Sequence, residues 1–297
     1  MCDDQETIYK GKFVTVGMFH QRPHSSRFRA VQPMQHNVIV FPRTSVSITF
    51  AGEDAVVTDP NLVMFYNSGQ EYARQKLSER GDLCEWFLFD DQVLEDALGV
   101  YYPAVKGTAE KPFPWNHGPS DPSSFLLQRL VVEHILEAPQ PDALFIEENL
   151  LFVLGRVVEN AYKAYHGYEG NRKVGGAIHV EITNLVKTML ATRFRERLTL
   201  DQIAREVNYS PYYLCRVFRN QTGCTIHQYL DQIRLRTSLE FVSQEDTDLT
   251  SLALTLGYSS HSHFTHSFRR TFGAPPSELR QKANPHHLHK LRKILIA

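Results

Sequence analysis

Apolar positions between Leu200 and Gly273 follow one pattern twice. Leu200, Ile203, Ala204, Val207 and Tyr209 recur 49 positions later as Leu249, Leu252, Ala253, Leu256 and Tyr258. After one inserted residue, Ser210, Leu214, Phe218 and Gly223 match Ser260, Phe264, Phe268 and Gly273 at an offset of 50. Each copy predicts a short helix, a tight turn and a second helix, the order of a helix-turn-helix. Thr199, Ser210 and Ser260 stand at N-cap positions, and Pro211 suits a first turn. Asn208 and Gly257 fall at the turns, where a left-handed backbone is tolerated. A helix over 177–194, striped by Ile182, Leu185, Val186, Met189 and Leu190, precedes the first copy. A longer helix faced by Ile226, Leu230, Ile233, Thr237 and Phe241 joins the copies and leaves Arg234 and Arg236 for solvent, acids or phosphate.

Residues 13–90 show a different period. Val14/Val16, Val38 to Phe41, Val46/Ile48/Phe50, Ala55 to Val57, Leu62 to Tyr66 and Trp86/Leu88 are short apolar or alternating runs. Gly17, Pro42, Gly52, Asp59-Pro60 and Asn67-Ser68-Gly69 punctuate them, as expected for a sandwich or barrel. The stretch 99–119 carries four prolines and reads as an irregular connector. Asp121-Pro122 opens a helix that runs toward Pro139. A second, from about Asp142 to Tyr165, is apolar around most of its circumference, which predicts burial of two sides and favours a homodimer partner over burial within one chain. Gly167 to Gly176 reads as a polar, glycine-rich linker.

Charge sharpens this division. Residues 1–170 hold 14 Lys and Arg against 23 Asp and Glu, net −9, and residues 171–297 hold 18 against 10, net +8. The basic half carries the duplicated pattern, and a basic segment attracts phosphates whatever the base sequence. The acidic N-terminus lacks a basic and then apolar leader, and no apolar run is long enough for a membrane span, so a cytoplasmic protein is expected. Four scattered cysteines, Cys2, Cys84, Cys215 and Cys224, imply reduced thiols without metal spacing.

Helical geometry selects the residues that face a partner. At 100° per residue from buried Leu214, Tyr212, Arg216 and Arg219 lie at about 160°, 200° and 140°. The same count in the second copy exposes Ser262, His266 and Arg269. A helix fits the major groove, and an arginine there can bond O6 and N7 of guanine together. The DNA-binding set is therefore Ser210, Tyr212, Cys215, Arg216 and Arg219 with Ser260, Ser262, Thr265, His266 and Arg269. Arg216 is the strongest base reader among them.

These residues resemble the DNA-binding domain of the AraC/XylS family of transcription regulators. The resemblance covers about 177–281. It includes Tyr229-Leu230, Arg234-Leu235, Gly257-Tyr258-Ser259-Ser260, Phe264, Phe268 and the ending Phe272-Gly273-Ala274-Pro275-Pro276-Ser277-Glu278-Leu279-Arg280. Two positions depart from the family pattern: Ile226 lies where Pro is common, and His266 where Arg is common. A histidine makes one hydrogen bond there but cannot form the arginine fork.

The resemblance implies an α+β protein with five segments. These are an N-terminal β-rich cupin-like effector-binding barrel over 1–120, a helical dimerisation segment over 121–166, a linker over 167–176, an all-α double helix-turn-helix domain over 177–282 and a basic tail over 283–297. It implies double-stranded DNA, a second copy, a small-molecule effector and RNA polymerase as partners, with no cofactor and no enzymatic role. Tyr66, Tyr72 and Trp86 are candidates to line the effector site, and equally candidates for plain core. A metal enzyme is the rival reading. His20, His24 and His36 form no HxH pair, and Tyr72 stands where a metal cupin would need a late histidine. His261/His263/His266 and His286/His287/His289 have no acidic or thiol ligand beside them. Glu53/Asp54 and Asp90/Asp91 adjoin turn signals and read as caps.

Overall fold

The computed structural model describes residues 5–25, 28, 31–102, 111–167, 176–244 and 246–280. The tail from residue 283, its histidine cluster and most of the proposed linker lie outside them. Two compact units divide the chain, one through Gly167 and the other between it and residue 282.

The first unit contains β1 (Gln5–Lys10), β2 (Val14–Gln21), β3 (Gln32–Pro33), β4 (Val38–Pro42), β5 (Val46–Phe50), β6 (Val56–Thr58), β7 (Leu62–Tyr66), β8 (Glu71–Lys76), β9 (Asp82–Phe89), α1 (Asp91–Gly99), β10 (His117–Pro119), α2 (Pro122–Glu137) and α3 (Ala143–Gly167). A six-stranded antiparallel sheet has the order β1-β2-β9-β4-β7-β10, and a four-stranded one the order β3-β8-β5-β6. The expected barrel is not closed: among the described residues no ladder joins the two sheets. Periodicity identifies strands but not which of them pair, and edge strands here end the ladders instead of closing them.

Apolar patterning explains how the layers stack. Val38, Val40, Met64, Tyr66, Cys84 and Trp86 of the large sheet pack with Val46, Ile48 and Phe50 of the small one. The alternate residues of the large sheet face α2 and α3, as in the approach of Phe41 to Phe125 at 6.4 Å. Strands β4 and β7 are thus buried along their whole length, which is why they read as unbroken apolar runs. Strand β5 alternates because only one of its faces is covered. Gly17 pairs with Trp86, and any Cβ on Gly17 would stand about 2 Å from the indole ring, so the glycine makes room for it.

Ion pairs fasten α2 to the sheet. Glu85 is fully buried between Arg129 of α2 and Arg43, and Arg129 also reaches Glu133 at 3.3 Å. Asp121 caps α2 by accepting from the Ser124 amide, as the sequence suggests, and Asp90 caps α1 in the same way through Gln92. Sequence periodicity gives no strand signal for β8, whose Glu-Tyr-Ala-Arg-Gln-Lys run is mostly polar.

The second unit is all helix: α4 (Gly176–Arg193), α5 (Leu200–Glu206), α6 (Pro211–Thr222), α7 (Ile226–Val242), α8 (Leu249–Thr255), α9 (His261–Phe272) and α10 (Pro276–Leu279). Helix α7 is buried on more than the single expected face: Tyr229, Asp231, Leu235, Arg236 and Leu239 join Ile226, Leu230 and Ile233, while Phe241 is only half-buried. Arg234 and Arg236 are accordingly not surface groups. Arg236 is buried, and Arg234 donates to the carbonyls of Phe194 at 2.6 Å and Glu196 at 2.7 Å. On α4 the expected stripe holds for Ile182, Val186 and Leu190, but Leu185 is exposed. Among the described residues no helix is long and apolar enough to cross a membrane.

One pH dependence follows for the first unit. His134 is buried, and its Nε2 lies 3.3 Å from the Asp142 amide, which donates to it only while the imidazole is neutral. Burial holds its pKa below the usual histidine value, against an opposing pull from Asp142. The unfolded chain therefore binds more protons, so this contribution is complete above a pH of about 6.5 and falls as pH drops through the lower folded value. Both tryptophans, Trp86 and Trp115, lie in this unit and report its unfolding by fluorescence. The stability difference between wild type and His134→Gln should shrink between pH 7 and pH 5; a constant difference would assign the effect to other groups.

Candidate nucleic-acid interface

Helices α6 and α9 are built alike from their ends inward. Ser210 Oγ accepts from the Tyr213 amide at 3.3 Å, and Ser260 Oγ from the His263 amide at 3.2 Å. Gly223 and Gly273 close the helices in left-handed conformation, at φ 77° and 78°. Leu214, Val217 and Phe218 anchor α6, and Phe264, Phe268 and Phe272 anchor α9. The turns before them use Asn208 at φ 59° and Gly257 at φ 85°, which agrees with the left-handed positions expected of both.

The outward faces carry the anticipated side chains. On α6, Tyr212 is 79% exposed, and Cys215, Arg216 and Arg219 are exposed. On α9, Ser262, His266 and Arg269 are exposed, whereas Thr265 is half-buried with its Oγ1 3.3 Å from His261 Nε2. Ser210 and Ser260 serve as caps, and each keeps its own O–H to donate outward.

Helix α7 holds the second helix-turn-helix by polar contacts the first lacks in that form. The Tyr258 hydroxyl donates to Asp231 Oδ1 at 2.7 Å, and burial together with the Asp231 charge raises its pKa far above the phenol range. Arg234 lies 5.7 Å from the Tyr258 ring centre, and Arg270 reaches Asp231 at 3.5 Å. The counterpart Tyr209 is half-buried and packs on Tyr213 at 5.6 Å.

Three residues shape this surface without a motif to announce them. Asp231 is buried in α7 and marks itself only as an acid among apolar positions. Tyr213 lies beside Arg216, with the guanidinium carbon 5.5 Å from the ring centre, and its hydroxyl is 3.0 Å from Nε2 of buried His179 on α4. The spacing of Tyr213 and Arg216, three apart on a helix, is the signal available in the sequence.

A family model described as a helix-turn-helix domain matches residues 203–282. The chain is 28% identical over 110 residues to the probable transcription factor PqrA of Proteus vulgaris, a match of 36% of this chain and 90% of PqrA. It is 31% identical over 98 residues to the transcriptional activator RhaS of Escherichia coli, 33% of this chain and 35% of RhaS. The chain carries the DNA-binding domain of an AraC/XylS-type transcription regulator. A solved regulator from Chromobacterium violaceum described as AraC-type is 28% identical, covering 37% of this chain and 96% of that one, with a TM-score of 0.33. The matched part of this chain spans about a third of RhaS, so the likeness there is one of domains.

The candidate effector residues fall in the other unit. Tyr66 and Trp86 are buried and Tyr72 half-buried in the cluster between the sheets, with Tyr66 and Tyr72 rings 5.0 Å apart. Arg74 pairs with Asp82 at 2.9 Å and lies 4.5 Å from the Phe19 ring centre at the edge of that cluster. Among the described residues no three His, Cys, Asp or Glu side chains form a group able to hold a metal ion.

A Cβ on Gly257 would stand 2.7 Å from both the Arg195 carbonyl and Arg234 Nη2, on a backbone that side chains rarely adopt. Gly257→Ala should therefore destabilise the second unit by more than about 1 kcal/mol, read as a lower helical melting temperature in circular dichroism. An unchanged melt would mean that Arg234 yields without cost.

Proposed function

We propose that the protein is a sequence-specific, effector-responsive transcription regulator that lays α6 and α9 in successive major grooves on one face of the DNA. The observation that carries this reading is the pair of equivalent exposed helix faces, each rooted in its own aromatic or aliphatic core. Arg216 reads guanine, while Arg219 and Arg269 meet phosphate. Tyr212 and Cys215 add apolar contact to a thymine methyl. Ser262, Thr265 and His266 form the weaker face, so the first helix-turn-helix supplies most of the base discrimination. Ser210 and Ser260 donate to the backbone at the helix N-termini.

The first unit is proposed as the regulatory part, with a cupin-like fold. The aromatic cluster of Tyr66, Tyr72 and Trp86 between its sheets supports effector binding there. The outer surface of α3 supports a homodimer through 121–166: Leu144 is 75% exposed, and Leu151 and Phe152 are only half-buried. RNA polymerase is the further partner such a regulator would meet on DNA.

Selection of binding sites from a randomised duplex pool tests the DNA reading. Arg216→Ala should lose about 1–3 kcal/mol of discrimination at one base pair, and His266→Ala less. Uniform weakening on every sequence would make Arg216 a phosphate contact. For the regulatory reading, DNA binding is compared across candidate small molecules with the full chain and with residues 167–297 alone. Identical responses would remove the effector role.

A further inference from the structure

We propose that Tyr213, held by His179, is a positioning residue that sets the direction of the Arg216 side chain before DNA arrives. This rests on the reading of α6 as a base-contacting helix. An exposed arginine has many rotamers, and fixing it against a base costs conformational entropy that preorganisation removes. Arg216 leans on the Tyr213 ring, its guanidinium carbon 5.5 Å from the centre, within cation–π range. Among the described residues no carboxylate pairs with Arg216 to draw it elsewhere.

The ring is itself braced on two sides. Its hydroxyl stands 3.0 Å from His179 Nε2, and its face packs 5.6 Å from Tyr209 in the turn of the same unit. His179 is buried in α4, so the brace is rooted in the core of the domain. The chain of contact thus runs from α4 through Tyr213 to the arginine tip.

The second helix-turn-helix carries no such arrangement. His263 replaces Tyr213 at the matching position and packs on Tyr258 at 5.3 Å, with Nδ1 3.2 Å from Ser259 Oγ. His266 replaces Arg216. One unit reads with a preset fork, the other with a short imidazole.

The test uses the full-length protein and duplexes selected from a randomised pool. Affinity is measured for the preferred duplex, for the same duplex changed at each base pair, and for an unrelated duplex. Arg216→Ala should cut discrimination about tenfold or more at one base pair. Tyr213→Leu should cut it roughly threefold at that same pair, leave binding to the unrelated duplex unchanged, and add nothing in the double variant with Arg216→Ala. Tyr213→Phe and His179→Gln, which keep the ring or the shape, should each give a smaller loss confined to that pair. Uniform loss on all duplexes, or full additivity in the double variant, would make Tyr213 a structural residue and overturn the proposal; this holds for Tyr213→Phe even if Tyr213→Leu folds poorly. Loss with Arg216→Ala but none with any Tyr213 variant overturns the positioning alone. No effect of Arg216→Ala at any pair overturns the base-reading role of Arg216 and the positioning with it.

Discussion

The carboxy-terminal unit depends on the burial of α7 between two copies of one motif. A helix that must satisfy neighbours on several sides cannot be purely apolar when those neighbours offer backbone carbonyls and phenols. Arg234 and Asp231 answer that constraint: one donates to the carbonyls that end α4, the other accepts from Tyr258. Asp231 is buried and Arg234 half-buried, and each is paired, so removing Tyr258's hydroxyl would leave the Asp231 carboxylate short of a partner in a place water reaches poorly. The same contacts crowd Gly257, which ties the turn of the second copy to the end of α4.

Much of this is legible in the sequence. Helical spacing with cap and turn residues locates α5, α6, α8 and α9 and most of their buried positions, because each is short, amphipathic and bounded by Ser, Asn or Gly, although Leu200, expected on the inner face of α5, is 40% exposed. The long helices α2 and α3 were equally plain, through Asp121-Pro122 and an apolar run. Polar pairing inside the core was not legible. Arg234 and Arg236 look like solvent residues in a linear pattern, since nothing local reveals that carbonyls wait for Arg234 38 and 40 residues upstream or that Arg236 is buried.

The β-rich unit marks the same boundary from another direction. Alternation found β5, and unbroken apolar runs found β4 and β7, yet β8 escaped because its inward residues include Arg74, a charge satisfied by Asp82 from a different strand. Sheet closure was likewise beyond reach, being a matter of which edges meet. Exposure on the outer faces of α6 and α9 is more legible, although Thr265 turns partly inward toward His261, and an i, i+3 spacing is the only sequence signal of Tyr213 beside the arginine it touches.

The duplication has a consequence for how such a protein changes over time. Each copy contains its own cap, its own left-handed turn and its own core anchors, and apart from the capping serines the outward-facing residues are none of these. Drift on one outward face therefore leaves the folding of both copies intact. A change from one side chain to another at an outward position such as His266 alters what that copy can contact without touching the anchors of either copy.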